Sequence, residues 1–176
     1  MFWVMFERTT GLIKQVGQDD YLPRGDSLHG VIEADPGVRG YGEVDGVFQL
    51  SINFDAIRRP ILRRIDEQAN VARAAFVPDG IQAAVYGMKT LEAQAWTPGN
   101  DPATAPMLAA EAAAVGLSID VLAQAVMANA ALWTGVAAAT EAARRKAKID
   151  VEALGDDVLA LAAMPPIDWV AVISGA

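Results

Sequence analysis

The chain has 176 residues, a formal charge of −8 and a mean hydropathy of +0.24; 53% of its residues are hydrophobic, 20% are charged, one is histidine and none is cysteine. That composition excludes a disordered or low-complexity polymer and suffices to build one core or two small ones. Without cysteine there is no disulfide scaffold, thiol nucleophile or thiolate metal site; one histidine excludes two-histidine zinc motifs, and the acidic balance argues against nucleic acid as a partner.

The opening residues Met1 to Phe6 are apolar but meet Glu7 and Arg8 at once, too soon for the apolar core of a signal peptide. Phe2, Val4 and Phe6 alternate with Trp3 and Met5, the period of a strand. Thr9-Thr10-Gly11 turns the chain, Leu12 to Val16 returns as a second strand, and Gly17 closes it. Tyr21 to Gly25 reads as a loop. Val31 to Glu33 is a short strand ended by Asp35-Pro36-Gly37, and Asp45-Gly46 is a hairpin turn before a last strand, Val47 to Ile52. The expectation is one small antiparallel sheet, too small to be very stable alone.

From Asp55 the period changes to about 3.6. Pro60 suits the first turn of a helix whose apolar face is Ile61, Leu62, Ile65, Ala69, Ala72 and Phe76. Pro78-Asp79-Gly80 breaks it, with Asp79 able to cap a second helix whose stripe is Ile81, Ala84, Val85, Met88, Leu91 and Ala95. After the loop from Thr97 to Pro102, Pro106 opens a third helix. Gly116 is its C-cap, with Leu117 packing back over the end. Ser118 caps a fourth helix, whose stripe is Leu122, Ala125, Val126, Asn129, Leu132, Trp133, Val136 and Thr140. With no breaker before Gly155, it runs roughly 35 residues, or about 50 Å. Such a length predicts a helix that projects or packs on another subunit. Asp156-Asp157 caps a short last helix, Val158 to Met164, and Trp169 to Ile173 is a strand or a docked tail.

Candidate chemistry is sparse. His29 lies in a turn-like setting with no nucleophile motif around it, and Asp19-Asp20 and Asp156-Asp157 lack the alternating acids of a calcium loop. Gly37, Gly40, Gly42 and Gly46 match no phosphate-binding pattern and read as turn residues. No catalytic residue, cofactor or metal is expected, and no run of about 18 apolar residues suggests a membrane span. Arg58, Arg59, Arg63, Arg64 and Arg73 form one basic cluster and Arg144 to Lys148 another. They either pair with acidic loops or lock onto an acidic neighbour. Asn129 either sets the register of a helix seam or is buried and bonded within its own subunit. Trp96, Trp133 and Trp169 read as core or interface anchors.

Two stretches carry a family resemblance. One is Arg64-Ile-Asp-Glu-Gln through Ala72-Arg-Ala-Ala-Phe76 with Leu91-Glu-Ala-Gln-Ala-Trp96; the other is Pro106 through Leu122, leading into Leu132-Trp133 and Glu141-Ala-Ala-Arg-Arg-Lys-Ala-Lys148. Together they resemble the helical C-terminal part of small phage and prophage tail proteins encoded beside tail-fibre genes. Thr9 to Ile13 with Val44-Asp-Gly46 is similar to the short β region that precedes it. The resemblance spans roughly residues 6 to 152 and implies a non-enzymatic tail or fibre-attachment component of the virion, made in the host cytoplasm. Its alternative is a fibre assembly chaperone not retained in the virion.

The expected fold is α+β: a β domain over 1–54, a helical domain over 55–155 built on one long helix, and a tail over 156–176. The expected interface is Leu122, Val126, Asn129, Trp133, Val136, Arg144, Arg145 and Lys148, facing other tail proteins or a second copy, with no nucleic acid and no membrane as partner.

Overall fold

The alternation at the start of the chain becomes strand β1 (Phe2–Glu7), the centre of an antiparallel sheet in the order β2-β1-β3, with β2 at Ile13–Gln18 and β3 at His29–Ala34. The computed structural model describes residues 1–44, 47–76 and 80–175, and gives the backbone alone for 41–44 and 47–50. Strands β4 (Arg39–Val44) and β5 (Val47–Ile52) pair with each other as a separate two-stranded sheet, so the expected single sheet is two. The Asp45-Gly46 turn lies outside the described residues, but Val44 pairs with Val47 on either side of it.

Several glycines work as strand residues instead of punctuation. Gly17 does not close β2 but sits inside it opposite Trp3, and a β-carbon there would lie 2.2 Å from the indole Cζ2. Gly30 pairs with Phe6 in the same way, 2.3 Å from its Cζ. Each aromatic ring fills the space where its cross-strand partner's β-carbon would stand, which only glycine allows. Gly40 and Gly42, expected in turns, lie within β4, whereas Gly37 does turn the chain at φ +86°.

Helix α1 (Phe54–Ala74) starts earlier than expected, with the Asn53 side chain accepting the Asp55 N–H at 3.1 Å. Pro60 therefore stands inside the helix, where a missing N–H ordinarily orphans the carbonyl four residues back. That carbonyl, on Ala56, accepts the Asp35 N–H at 2.7 Å from the loop after β3. The proline is tolerated because the sheet supplies the missing donor.

The remaining helices are α2 (Gly80–Ala95), α3 (Pro106–Val115), α4 (Ile119–Ala153), α5 (Val158–Ala163) and α6 (Trp169–Ser174), with a single 3₁₀ turn at Pro102–Thr104. Pro78 and Asp79 lie outside the described residues. Gly116 ends α3 in the left-handed conformation at φ +71°, and the Leu117 N–H closes onto the Ala112 carbonyl; the Leu117 side chain stays exposed instead of packing back. Asp157 caps α5 through the Ala160 N–H at 3.0 Å. The segment from Trp169 is helical, not a strand.

The chain divides into Met1–Gln68 with Ala143–Asp168, and Ala69–Ala142 with Trp169–Ala176. The division expected after residue 54 fails because the sheet needs cover. Its inner face (Val4, Phe6, Ile32 and Ala34) is buried by Ile57, Ile61 and Ile65 of α1, Ala147 and Val151 of α4, and Val158 and Leu161 of α5. The second unit has its own core, formed by Ala93, Ala105, Leu108, Ala112, Leu122, Ala123 and Val126. Helix α4 is 35 residues long, as expected, and residues 119–142 belong to one unit and 143–153 to the other.

In the first unit, Arg63 holds both oxygens of Asp35 at 2.6 and 2.7 Å, and Asp66 of α1 receives Arg144 at 2.6 Å and Lys148 at 2.9 Å from α4. The Arg63 hydrogen bonds hold the Asp35 carboxyl below its ordinary value of 3.8 against the upward push of burial. Lys148 first, then Arg144, does the same for Asp66. A depressed carboxyl stabilises the fold above the unfolded pKa and loses that contribution as pH falls through the folded one. Thermal unfolding should therefore show a midpoint that declines as pH drops below about 4, and Asp35→Asn with Asp66→Asn should flatten that decline while lowering the neutral-pH midpoint. Equal acid slopes for wild type and double variant would remove both pairs from the account.

Candidate interaction surface

Helix α4 carries the stripe singled out in the sequence. Ser118 caps it, its hydroxyl accepting the Val121 N–H at 3.2 Å. Leu122 and Val126 are buried in the second unit's own core, and Val136 is buried as well. Thr140 is fully buried, which its hydroxyl tolerates by donating to the Val136 carbonyl at 2.7 Å. Trp133 is half-buried and meets Tyr86 of α2 edge-on, with centroids 4.8 Å apart and planes at 78°. Arg144 and Lys148 are held by Asp66, while Arg145 is exposed. Most of the expected interface is thus occupied by packing within the chain. Asn129 is exposed, which removes the reading of a buried, internally bonded asparagine.

Helix α2 is the departure that the sequence did not announce. Its apolar stripe points outward: Ile81, Ala84, Met88, Leu91 and Ala95 are exposed and Val85 is half-buried. Its charges point inward. Lys89 pairs with Glu111 of α3 and lies over the Tyr86 ring, and Glu92 accepts the Met107 and Leu108 N–H groups at 3.2 and 2.9 Å. The cause lies in α3. Its N-cap residue is Ala105, which has no side-chain acceptor, so the orphan N–H groups at its start take a carboxylate from α2. Trp96 adds a similar link, its indole N–H donating to Asp120 at 2.7 Å in the first turn of α4. Only Ala93 of α2 is fully buried.

Removing the Glu92 carboxylate strands two partly buried donors at once. Glu92→Ala should cost about 2 kcal/mol, in the range for charge-assisted hydrogen bonds, and Glu92→Gln should recover part of it. Chemical denaturation of the three proteins gives the comparison; an unchanged midpoint for Glu92→Ala would mean that water caps α3 equally well.

The other candidate groups are engaged in local structure. His29 opens β3 instead of lying in a loop, and its Nδ1 is 3.1 Å from both Asp26 oxygens. The hydrogen bond from that ring, with those from the His29 and Leu28 N–H groups, holds the Asp26 carboxyl below its ordinary range. Asp19 accepts the Trp3 indole N–H at 3.0 Å. Of the first basic cluster, Arg58 pairs with Asp55 and Asp156 and Arg63 with Asp35.

Among the described residues, α4 is the one helix long and apolar enough to cross a membrane, by an 18-residue window of mean hydropathy 1.4 of which 22% is buried. Gln124, Asn129 and Thr134 interrupt its apolar runs, yet no charge stands between Asp120 and Glu141. Comparison with protein-family models, with curated proteins and with solved structures found no match to this chain.

Proposed function

We propose that this chain is a non-enzymatic structural component of a bacteriophage tail, a minor tail or tail-fibre attachment protein retained in the virion. The reading rests on the resemblance carried by α1 to α4. The observation that supports it is the inverted α2, which spends its charges on the chain's own α3 and leaves an uncharged apolar face outward. Exposed apolar surface of this kind serves binding to other proteins. The protein is made in the host cytoplasm and works through protein–protein contact in the tail, without cofactor, nucleic acid or membrane.

Mass spectrometry of purified virions, with copy number taken against a major tail protein, is the test. A stoichiometric signal is the expected result. Recovery only on tail fibres from infected-cell lysate would make the chain an assembly chaperone instead, and absence from both would end the tail reading.

A further inference from the structure

We infer that the outward face of α2 is a self-association surface, covered by the same face of a second copy of this chain. Ile81, Ala84, Met88, Leu91 and Ala95 follow one another at spacings of three, four, three and four residues, the a/d pattern of a helix seam. Ile81 is 86% exposed, Leu91 67% and Met88 57%. Tyr86 and Ala93, which face the unit's interior, stand on the opposite side of the helix. An a/d seam selects another helix as its mate, because its knobs fit only holes of the same spacing.

The charge pattern selects which helix. The residues beside the seam are Gly87 and Gln94 on one flank and Val85 and Glu92 on the other, so Glu92 alone among them carries a charge. Partner choice in helix pairs is ordinarily written in flanking charges, and here the Glu92 carboxylate is taken up by two N–H groups of α3 while Lys89, further round the helix, pairs with Glu111. In a two-fold contact the same patch meets itself, so an unpaired like charge beside the seam would repel its own copy. Here the one flanking charge is already held by α3. Ala84, Gly87 and Ala95, small residues on and beside the seam, let two identical helices approach closely. A pair of 16-residue helices is only about 24 Å long, so the contact is small and the dimer is expected to be concentration-dependent. This inference does not depend on the tail reading.

Sedimentation velocity of the full-length chain across a concentration series tests it. The wild type should shift from monomer to dimer with rising concentration, and Leu91→Lys and Met88→Lys should each hold it monomeric with unchanged circular dichroism. Ile149→Lys, at an exposed apolar residue of α4 that is not part of the seam, is the control and should dimerise as the wild type does. A chain that stays monomeric throughout the series overturns the inference, as does a dimer indifferent to Leu91→Lys. Flotation of a monomeric wild type with neutral phosphatidylcholine vesicles, abolished by Leu91→Lys, would assign the face to lipid and likewise overturn it.

Discussion

Gly30→Val is expected to lower the thermal midpoint by about 6–12 °C, a loss of about 3 kcal/mol at 2–4 °C per kcal/mol for a chain of this size. The cause is steric. The Phe6 ring lies over Gly30, with Cζ, Cε2 and Cε1 at 2.3, 2.7 and 2.9 Å from where a β-carbon would stand. Phe6 is 3% exposed and packs in the first unit's core with Val4, Ile32 and Ile57, so its ring has no vacant place to move into. Valine's preference for strands pulls the other way but is worth less than about 1 kcal/mol. Gly30→Val combined with Phe6→Leu should recover part of the loss, because the smaller side chain releases the clash. Differential scanning calorimetry on the three proteins reads the outcome directly. If the double variant is no better than Gly30→Val alone, the contact with Phe6 is not what makes glycine necessary.

Leu108→Ala should cost about 4 kcal/mol, in the upper part of the range for this substitution. The size of the effect follows from the neighbours. Leu108 is fully buried in a core whose other buried members are Ala93, Ala105, Ala112 and Ala123 with Leu122 and Val126, and Trp96 and Ile119 pack against it half-buried. Alanines have no rotamers with which to fill a void, so the cavity stays open and its lining forfeits dispersion contacts. Urea unfolding followed by tryptophan fluorescence measures the loss, since Trp96 packs against this core. Leu108→Met, close in volume, should cost under about 1.5 kcal/mol. Equal losses for alanine and methionine would point to shape, not volume, as what the site demands.

Much of the architecture is written plainly in the sequence, and the failures share a cause. The period-2 run at Phe2 to Phe6 and the caps at Ser118 and Gly116 are local signals, settled by a few adjacent residues. So is the length of α4, which needs only the absence of a breaker. Gly17 and Pro60 misled because their roles depend on distant partners: Trp3 for one, the Asp35 N–H for the other. A glycine under a ring and a glycine in a turn look alike until the register is known. The stripe on α2 is legible as a stripe, but periodicity states only that a helix has an apolar side, not that its own chain covers that side. Here the bare start of α3 decided the matter by drawing Glu92 inward. The partial signal for that outcome was Pro106 preceded by alanine, a helix start without a cap. Leu122, Val126 and Val136 on α4 follow the same rule: they are apolar because they are buried within the chain.

The bond between Asp35 and the Ala56 carbonyl has a kinetic consequence. Residues before a proline resist helical geometry, and a helix loses a rung where the ring sits, so the stretch from 54 to 59 is a poor helix on its own. The expected consequence is that helix formation in this region starts after Pro60, and that its first turns join when the loop after β3 delivers the donor. A substitution in that loop is then expected to slow the completion of α1, which stopped-flow refolding would read.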